Sequence, residues 1–550
     1  MYINFSKNYN WQKLEIGKWI CHFIGNKKFQ DELTLLLNSD WKVNTITLME
    51  FWKNQTENFC AVLENDHSII SFVDPIKGYP LYYYYDGREF AISDSARVLK
   101  KQFEFQGLNN ISLLEFMTSG FVTGKETLYH NLYQIQAGEM IKLDKKLKTL
   151  SRERYYRYIP TEKSDGKIED YLFQLNEIIN KAFGRVIESA EDRPIWVPLS
   201  GGLDSRLNVC KLVEMGYENI HTFSYGPKLS KNHEAQTARE ISKVLNIPWT
   251  FIPHNPKKSR DFFQSTLRKK YWEFSDNYSA KPNMQDIEHL FYLRENKIIS
   301  EDAIIVNGQS GDFITGGHIP SNLINGNLTS EDIFSTIIEK HFSIWNYVNK
   351  DQILRNILRD KFFKLLNITP QQNLSYEELI SLYESWEWQE RQAKVVASGQ
   401  RAYDCLDIEW RLPHWDFEYM SFWSTVPLNL RKNQSLYKMY LKKYDYKELF
   451  NDFIGKVKPG YSGLNAYLKR NILGLLNLLH VNTKPLVKYT SYFGYYHNYY
   501  SYFSFLYFLN NIKRAQIPPE GRGVFALVIS KWLQENNFPN VSSYIENIEN

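Results

Sequence analysis

An apolar run from Ile195 to Leu199 leads directly into Ser200-Gly201-Gly202-Leu203-Asp204-Ser205-Arg206, and few folds accommodate that succession. The run has the length of a buried strand. Leu207, Cys210 and Val213 follow at three-residue spacing, which suits a helix, and Gly216 supplies a stop. Ser200–Ser205, six residues, reads as a strand-to-helix turn. Its paired glycines let backbone approach a ligand closely and let N–H groups face an anion, which the start of the next helix also favours. Ser200 and Ser205 add hydroxyl donors, and Asp204 suits a hard cation such as Mg²⁺. The spaced Gly-x-x-x-x-Gly-Lys of a Walker loop is missing. An ordinary turn with glycines for packing remains the plainer alternative.

The pattern continues downstream. Ile220–Gly226 reads as a second strand. His233–Leu245 reads as a helix with Ala235, Ala238, Ile241, Val244 and Leu245 inward. Trp249–Ile252 and Ala303–Val306 read as a third and a fourth strand. Strands alternating with helices predict an open parallel sheet, with ligands at the carboxyl ends of its strands. Tyr225 falls at one such end, where it either supports a purine or simply packs. The fourth strand runs into Asn307-Gly308-Gln309-Ser310-Gly311-Asp312-Phe313-Ile314-Thr315-Gly316-Gly317-His318, a second carboxylate among four glycines.

The first 155 residues read differently. Phe59–Leu63 and Ile69–Val73 look like strands around a turn at Asn65-Asp66. Asp86-Gly87-Arg88 looks like another turn, and Ile111–Met117 like a helix capped by Asn109 or Asn110. Residues 156–168 read as a linker, followed by an amphipathic helix carrying Leu172, Leu175, Ile178, Ile179, Ala182, Phe183 and Val186 on one stripe. Residues 330–450 read as largely helical.

A chain of 550 residues favours two or more domains, and its 43% hydrophobic and 23% charged content is that of a globular protein. A net charge of +4 argues against nucleic acid as a partner. Four scattered cysteines suggest neither a zinc site nor a disulfide framework. No apolar run is long enough for a membrane span, and cytoplasm is the expected location.

The 200–205 turn resembles the pyrophosphate loop of N-type ATP pyrophosphatases. The second glycine–aspartate element resembles the asparagine synthetase family, with Gly308, Asp312, Gly316 and Gly317 in register. Glu409, Arg411, Pro413 and Asp416 match that family's Glu-x-Arg-x-Pro-x-x-Asp, and Lys458 in Lys456-Val457-Lys458-Pro459-Gly460 matches its pyrophosphate-holding lysine. Asp74, Pro80, Leu81, Tyr82, Ala91 and Ser93 are similar to its glutaminase half, an N-terminal-nucleophile fold. The resemblance covers roughly residues 60–465 and implies an ATP-dependent, AMP-forming amide-bond ligase. Leu199, Ser200, Gly201, Gly202, Leu203, Ser205, Tyr225 and Gly308 would bind ATP and pyrophosphate. Asp204 and Asp312 would share Mg²⁺, and Lys458 would offset the phosphate charge.

Three departures qualify it. Tyr2 stands where a working glutaminase exposes cysteine, Cys21 and Cys60 are internal, and the family's Asn-Gly-Glu pocket segment is absent. Gln309 replaces the family's glutamate and has no useful basicity, so it either orients substrate or yields the base role to His318. The expected fold is therefore α/β. A degenerate glutaminase-like α+β sandwich (1–155) precedes an ATP pyrophosphatase domain (169–470) with a doubly wound parallel sheet, and a Tyr-rich helical extension follows (471–550). Expected partners are a small-molecule or peptide carboxylate and ammonia or an amine, with a homodimer left open. A glutamine-hydrolysing asparagine synthase and a non-catalytic nucleotide- or partner-binding relative are the alternatives. Glu409 with Arg411 reads as a structural ion pair in preference to a catalytic one. The tyrosines of 478–510 read either as a binding groove or membrane surface or as a packing helix, and 511–550 as helix with a frayed acidic end.

Overall fold

The computed structural model describes residues 1–38, 44–56, 58–161, 166–226, 229–323, 328–345, 348, 351–450, 502–504, 507, 523–541 and 544. Lys458 and most of the Tyr-rich stretch lie outside the described residues.

Period-two alternation builds the N-terminal part. Strands β2 (Gln12–Ile16), β3 (Trp19–Ile24), β4 (Cys60–Glu64), β5 (Ser68–Val73), β9 (Glu139–Asp144) and β10 (Thr149–Arg154) form an antiparallel sheet in the order β10-β9-β5-β4-β3-β2. A second sheet, β1-β7-β6-β8, holds β1 (Tyr2–Ile3), β6 (Tyr82–Tyr85), β7 (Phe90–Ser93) and β8 (Leu132–Gln134), with β1 parallel to β7. Cys60, Val62, Ile69 and Val73 point inward and meet Leu81, Tyr83, Phe90 and Ile92 of the facing sheet. Their neighbours Ala61, Leu63, Ile70 and Phe72 point outward, under Phe29, Leu33, Leu48 and Trp52 of the helices Lys27–Asn38 and Thr45–Lys53. Tyr82, Tyr84 and Ala91 face away from the sandwich and join the core of the rest of the chain. The expected turns are closed by side chains. Asn65 Oδ1 accepts the N–H of His67 (2.9 Å) and Ser68 (2.8 Å), and Asp86 Oδ1 accepts those of Arg88 and Glu89 (both 2.8 Å). Asn109 caps the helix Asn110–Ser119.

The second part is a parallel sheet of five strands: β11 (Ile195–Pro198), β12 (Ile220–Gly226), β13 (Trp249–Pro253), β14 (Ile304–Val306) and β15 (Glu409–Arg411), in the order β13-β12-β11-β14-β15. The chain builds outward from β11 in one direction and then from β14 in the other. The order therefore reverses between these two strands, which opens a crevice at their carboxyl ends. Residues 330–450 are largely helical as expected, and strand β15 is a correction within them. Its three residues are too few to establish a period, and only pairing with β14 (Ile305 opposite Trp410) makes them a strand. Glu409 and Arg411 do form an ion pair (3.0 Å), with Arg193 on the other carboxylate oxygen (2.6 Å). Val244 is a second correction, because it is 42% exposed. It lies roughly 120° around its helix from Ala238, outside the buried stripe of Ala235, Ala238, Ile241 and Leu245.

The segment expected as a linker is laid against the body of the protein. Tyr158 is fully buried, Tyr156 packs edge-on to Trp388, and Thr161 N–H donates to Ser424 O (2.8 Å). The helix that follows, Ile168–Ala190, buries the expected stripe, although Ile178 is only partly covered. Near the C-terminus the helix Gly523–Glu535 is packed, and residues 545–550, the acidic end expected to fray, lie outside the described residues. Trp532 lies 4.6 Å from Phe116, and Arg268 grips Glu535 with both guanidinium nitrogens. Tyr502 stacks on Phe263 (4.8 Å), and Phe503 meets the same ring edge-on (5.1 Å).

Trp52 is fully buried and stacked on Phe72, with ring centroids 3.4 Å apart. Trp52→Ala is expected to cost about 3–5 kcal/mol, read as a lowered urea midpoint for loss of the near-UV signal.

Candidate active site at the reversal of the parallel sheet

Both glycine–aspartate elements leave the carboxyl ends of the two strands that flank the reversal. Ser200–Gly202 joins β11 to the helix Leu203–Glu214, and Asn307–Ser310 joins β14 to the short helix Gly311–Ile314. The first loop is closed on itself. Ser205 Oγ accepts Ser200 N–H (3.1 Å) and lies 3.2 Å from Ser200 Oγ, which in turn accepts Gly202 N–H (3.1 Å). Arg206, fully buried, donates to Gly201 O (2.7 Å) and Leu449 O (2.8 Å) and so anchors the turn from below.

The two loops press together, and two glycines permit it. A Cβ on Gly308 would sit 2.8 Å from Ser205 N, and one on Gly311 only 2.4 Å from Asp204 Cγ. Asp204 accepts the Asp312 N–H and the Tyr437 hydroxyl (3.0 Å). Burial, then the neighbouring Asp312 charge, push its carboxyl up to about 7. Asp312 takes a different course. Burial pushes it up, but the hydrogen bond and charge of His318 outweigh that and hold it below its ordinary value. Its Oδ2 lies 3.0 Å from His318 Nε2. Two carboxylates on adjoining loops, one half-buried and one open to solvent, have the donor chemistry for a hard divalent cation completed by phosphate or water oxygens. Among the described residues no group of three or more His, Cys, Asp or Glu side chains is placed to hold a metal alone.

His318 is tied to two carboxylates. Burial lowers its pKa, but hydrogen bonds to Asp312 and Glu387 raise it to about 9, so it is a cation at neutral pH. Its Nδ1 is bonded to Glu387 Oε1 (2.5 Å), and Glu387 Oε2 meets Lys340 (3.2 Å). Gln309 accepts a hydrogen bond from Gln400 Nε2 (2.5 Å), and its own N–H donates to Asn307 Oδ1 (3.0 Å). Asn307 continues to Tyr403 (2.6 Å), and Tyr403 to the buried Asp286 (2.7 Å). Tyr225 donates to the same Asp286 (2.7 Å) and stacks on His289 at 3.9 Å, so one ring face is already occupied. Leu199 is buried beneath the loop, while Gly202 is exposed and Gly201, Leu203 and Gly308 are partly so.

The sequence alone gave no sign of Glu387, Gln392, Asn208, Tyr437 or Asp286. Glu387–Val396 is a π-helix, a rare conformation that concentrates at functional sites. It sends Glu387 to His318 and Gln392 to Ser310 Oγ (2.7 Å). With its amide turned to suit its neighbours, Asn208 accepts Gly308 N–H (3.2 Å) and donates to His414 Nε2 (3.1 Å), tying the first helix to the second loop.

This is an α/β protein whose paired glycine–aspartate loops flank a strand-order reversal. Residues 175–477, more than half of the chain, match the family model for asparagine synthase, and the chain belongs to that family. A putative glutamine-hydrolysing asparagine synthetase 2 of Methanocaldococcus jannaschii is 25% identical over 268 residues, 48% of this chain and 49% of the relative. The chain thus spans about half the length of that curated relative. Among solved structures, an NH3-dependent NAD synthetase from Campylobacter jejuni is 14% identical over 43% of this chain and 97% of its own, with a TM-score of 0.21. A glutamine phosphoribosylpyrophosphate amidotransferase from B. subtilis is 10% identical over 54% of this chain and 57% of its own, with a TM-score of 0.15. Neither structural likeness is close enough to support an argument.

Burial pushes the thiols of Cys21 and Cys210 up to about 12 and that of Cys405 to about 11, and raises that of Cys60. Iodoacetamide at pH 8 is therefore expected to label the native protein slowly, with the partly exposed Cys405 first, and to label all four thiols quickly in urea.

Proposed function

We propose that the chain is an ATP-dependent ligase that adenylates a carboxylate and joins it to ammonia or an amine, releasing AMP and pyrophosphate. The observation that carries this is the meeting of the two glycine–aspartate loops at the sheet reversal, where Asp204 accepts the Asp312 N–H and feels the Asp312 charge. In this reading a substrate carboxylate oxygen attacks the α-phosphorus of ATP and the bond to the β,γ-diphosphate breaks. A nitrogen lone pair then displaces AMP from the acyl carbon and sheds its proton. The 200–205 loop with Leu199 and Gly308 receives the phosphates, and Tyr225 offers its remaining ring face to the purine. Mg²⁺ held by Asp204 and Asp312 would supply charge neutralisation on the leaving pyrophosphate. Lys458, outside the described residues, is assigned the cation on the same leaving group. Gln309, clasped by Gln400, orients substrate and moves no proton.

Residues 169–470 are assigned as the synthetase module and 1–155 as a sandwich without glutaminase activity, because the raised thiol pKa values leave Cys21 and Cys60 poor nucleophiles at neutral pH.

Purified protein offered ATP, Mg²⁺, ammonium and a panel of carboxylates is expected to form AMP and pyrophosphate in equal amounts. Asp204→Asn, Asp312→Asn and Lys458→Met should each lower that rate by about 10²-fold or more. Full turnover by Asp204→Asn overturns the assignment. Glutamate released from glutamine would establish the glutamine-hydrolysing alternative, and nucleotide binding without AMP across the panel a non-catalytic one.

A further inference from the structure

Beside the paired loops lies a cavity of about 320 Å³, at the lower end of the range for small-molecule sites. His318, which touches Asp312 through Nε2, is part of its wall. Three cationic side chains besides His318 line it, Lys281, Lys340 and Arg391. Its single lining carboxylate among the described residues is Glu387, 1% exposed and already shared between His318 and Lys340. Among the described residues the Lys281 ammonium has no salt bridge and no hydrogen bond. It lies 4.9 Å from the Phe525 ring centroid, and Arg391 acts on it as a like charge. Desolvation, followed by that like charge, lowers its pKa to about 7, as expected of a cation whose counter-charge has yet to arrive. Phe121, Ile344, Val395 and Phe525 supply apolar wall between these charges.

We propose that this cavity receives the acyl substrate and selects one bearing a second anionic group, paired with Lys281, on an apolar frame and without an α-ammonium. The proposal rests on the ligase reading for which carboxylate reacts, but the charge selectivity belongs to the cavity itself. A zwitterionic amino acid would bring an ammonium to a wall whose one carboxylate is committed twice. A neutral-tailed acid would leave Lys281 desolvated and unpaired. A dianion satisfies both conditions, and its arrival raises the Lys281 pKa, so binding should take up protons near neutral pH.

The test compares three probes of one carbon frame on the full-length protein by calorimetry: adipate, hexanoate and 2-aminoadipate. Adipate is expected to bind about ten-fold more tightly than hexanoate and more tightly than 2-aminoadipate. Lys281→Met should reduce adipate to the level of hexanoate, and Lys281→Arg should restore the difference. Equal binding of adipate and hexanoate, tighter binding of 2-aminoadipate, or no binding by any probe overturns the proposal, and the wild-type ranking decides even if Lys281→Met does not fold. If the ranking holds but ATP yields no AMP with any of the three, the ligase reading fails and the cavity's selectivity stands.

Discussion

Two carboxylates of like charge sit together at the mouth of the sheet, and that repulsion must be balanced from elsewhere. Asp204 meets it by burial and a tyrosine hydroxyl, which leaves its proton loosely held near neutrality. Asp312 meets it with a cation, His318, and His318 is itself held protonated by Glu387, which leans on Lys340. Charge alternates along this row from the loop to the helix Ser330–His341. Each member keeps its ionisation because the next one does, so removing a single partner would leave a desolvated charge behind.

The parts of this arrangement visible in the sequence are those written in local pattern. The run into Ser200–Ser205, the glycines around Asp312 and the short apolar runs of β4 and β5 follow from local pattern and turn chemistry, and the structure forms them within a residue or two of the expected bounds. Strand β15 was not visible, because three residues carry no period and the strand exists only through its partner. His318 shows a different limit. Its ordinary pKa suited a base, but two carboxylates contributed by residues 6 and 69 positions away along the chain turn it into a cation. Charges assembled by folding leave no mark on neighbouring letters.

Tyr225 lies between these cases. Its place at the end of β12 is legible, but the hydrogen bond to Asp286 and the stack on His289 come from a segment about sixty residues further on. The same Asp286 binds Tyr403, which reaches Asn307 and so the second loop. The ends of β12 and β14 are thereby joined through one buried carboxylate, and the crevice between them has a fixed floor.

The stretch Glu387–Val396 serves two masters at once. Glu387 and Gln392 turn toward the paired loops. Glu390 and Lys394 turn toward the N-terminal sandwich, where Glu390 accepts Gly124 N–H (2.8 Å), Lys394 donates to Val122 O (2.9 Å) and Gly124 O (2.6 Å), and Trp388 reaches Pro75 O (2.9 Å). A winding wider than the ordinary helix sets the angle between those two groups. Were the coil to tighten to the usual pitch, Glu387 and Gln392, five residues apart, would turn to lie about 140° from each other. Sandwich and loops would then no longer be gripped by one rod. The wide winding of this coil is what keeps the N-terminal sandwich mechanically geared to the loops that handle charge.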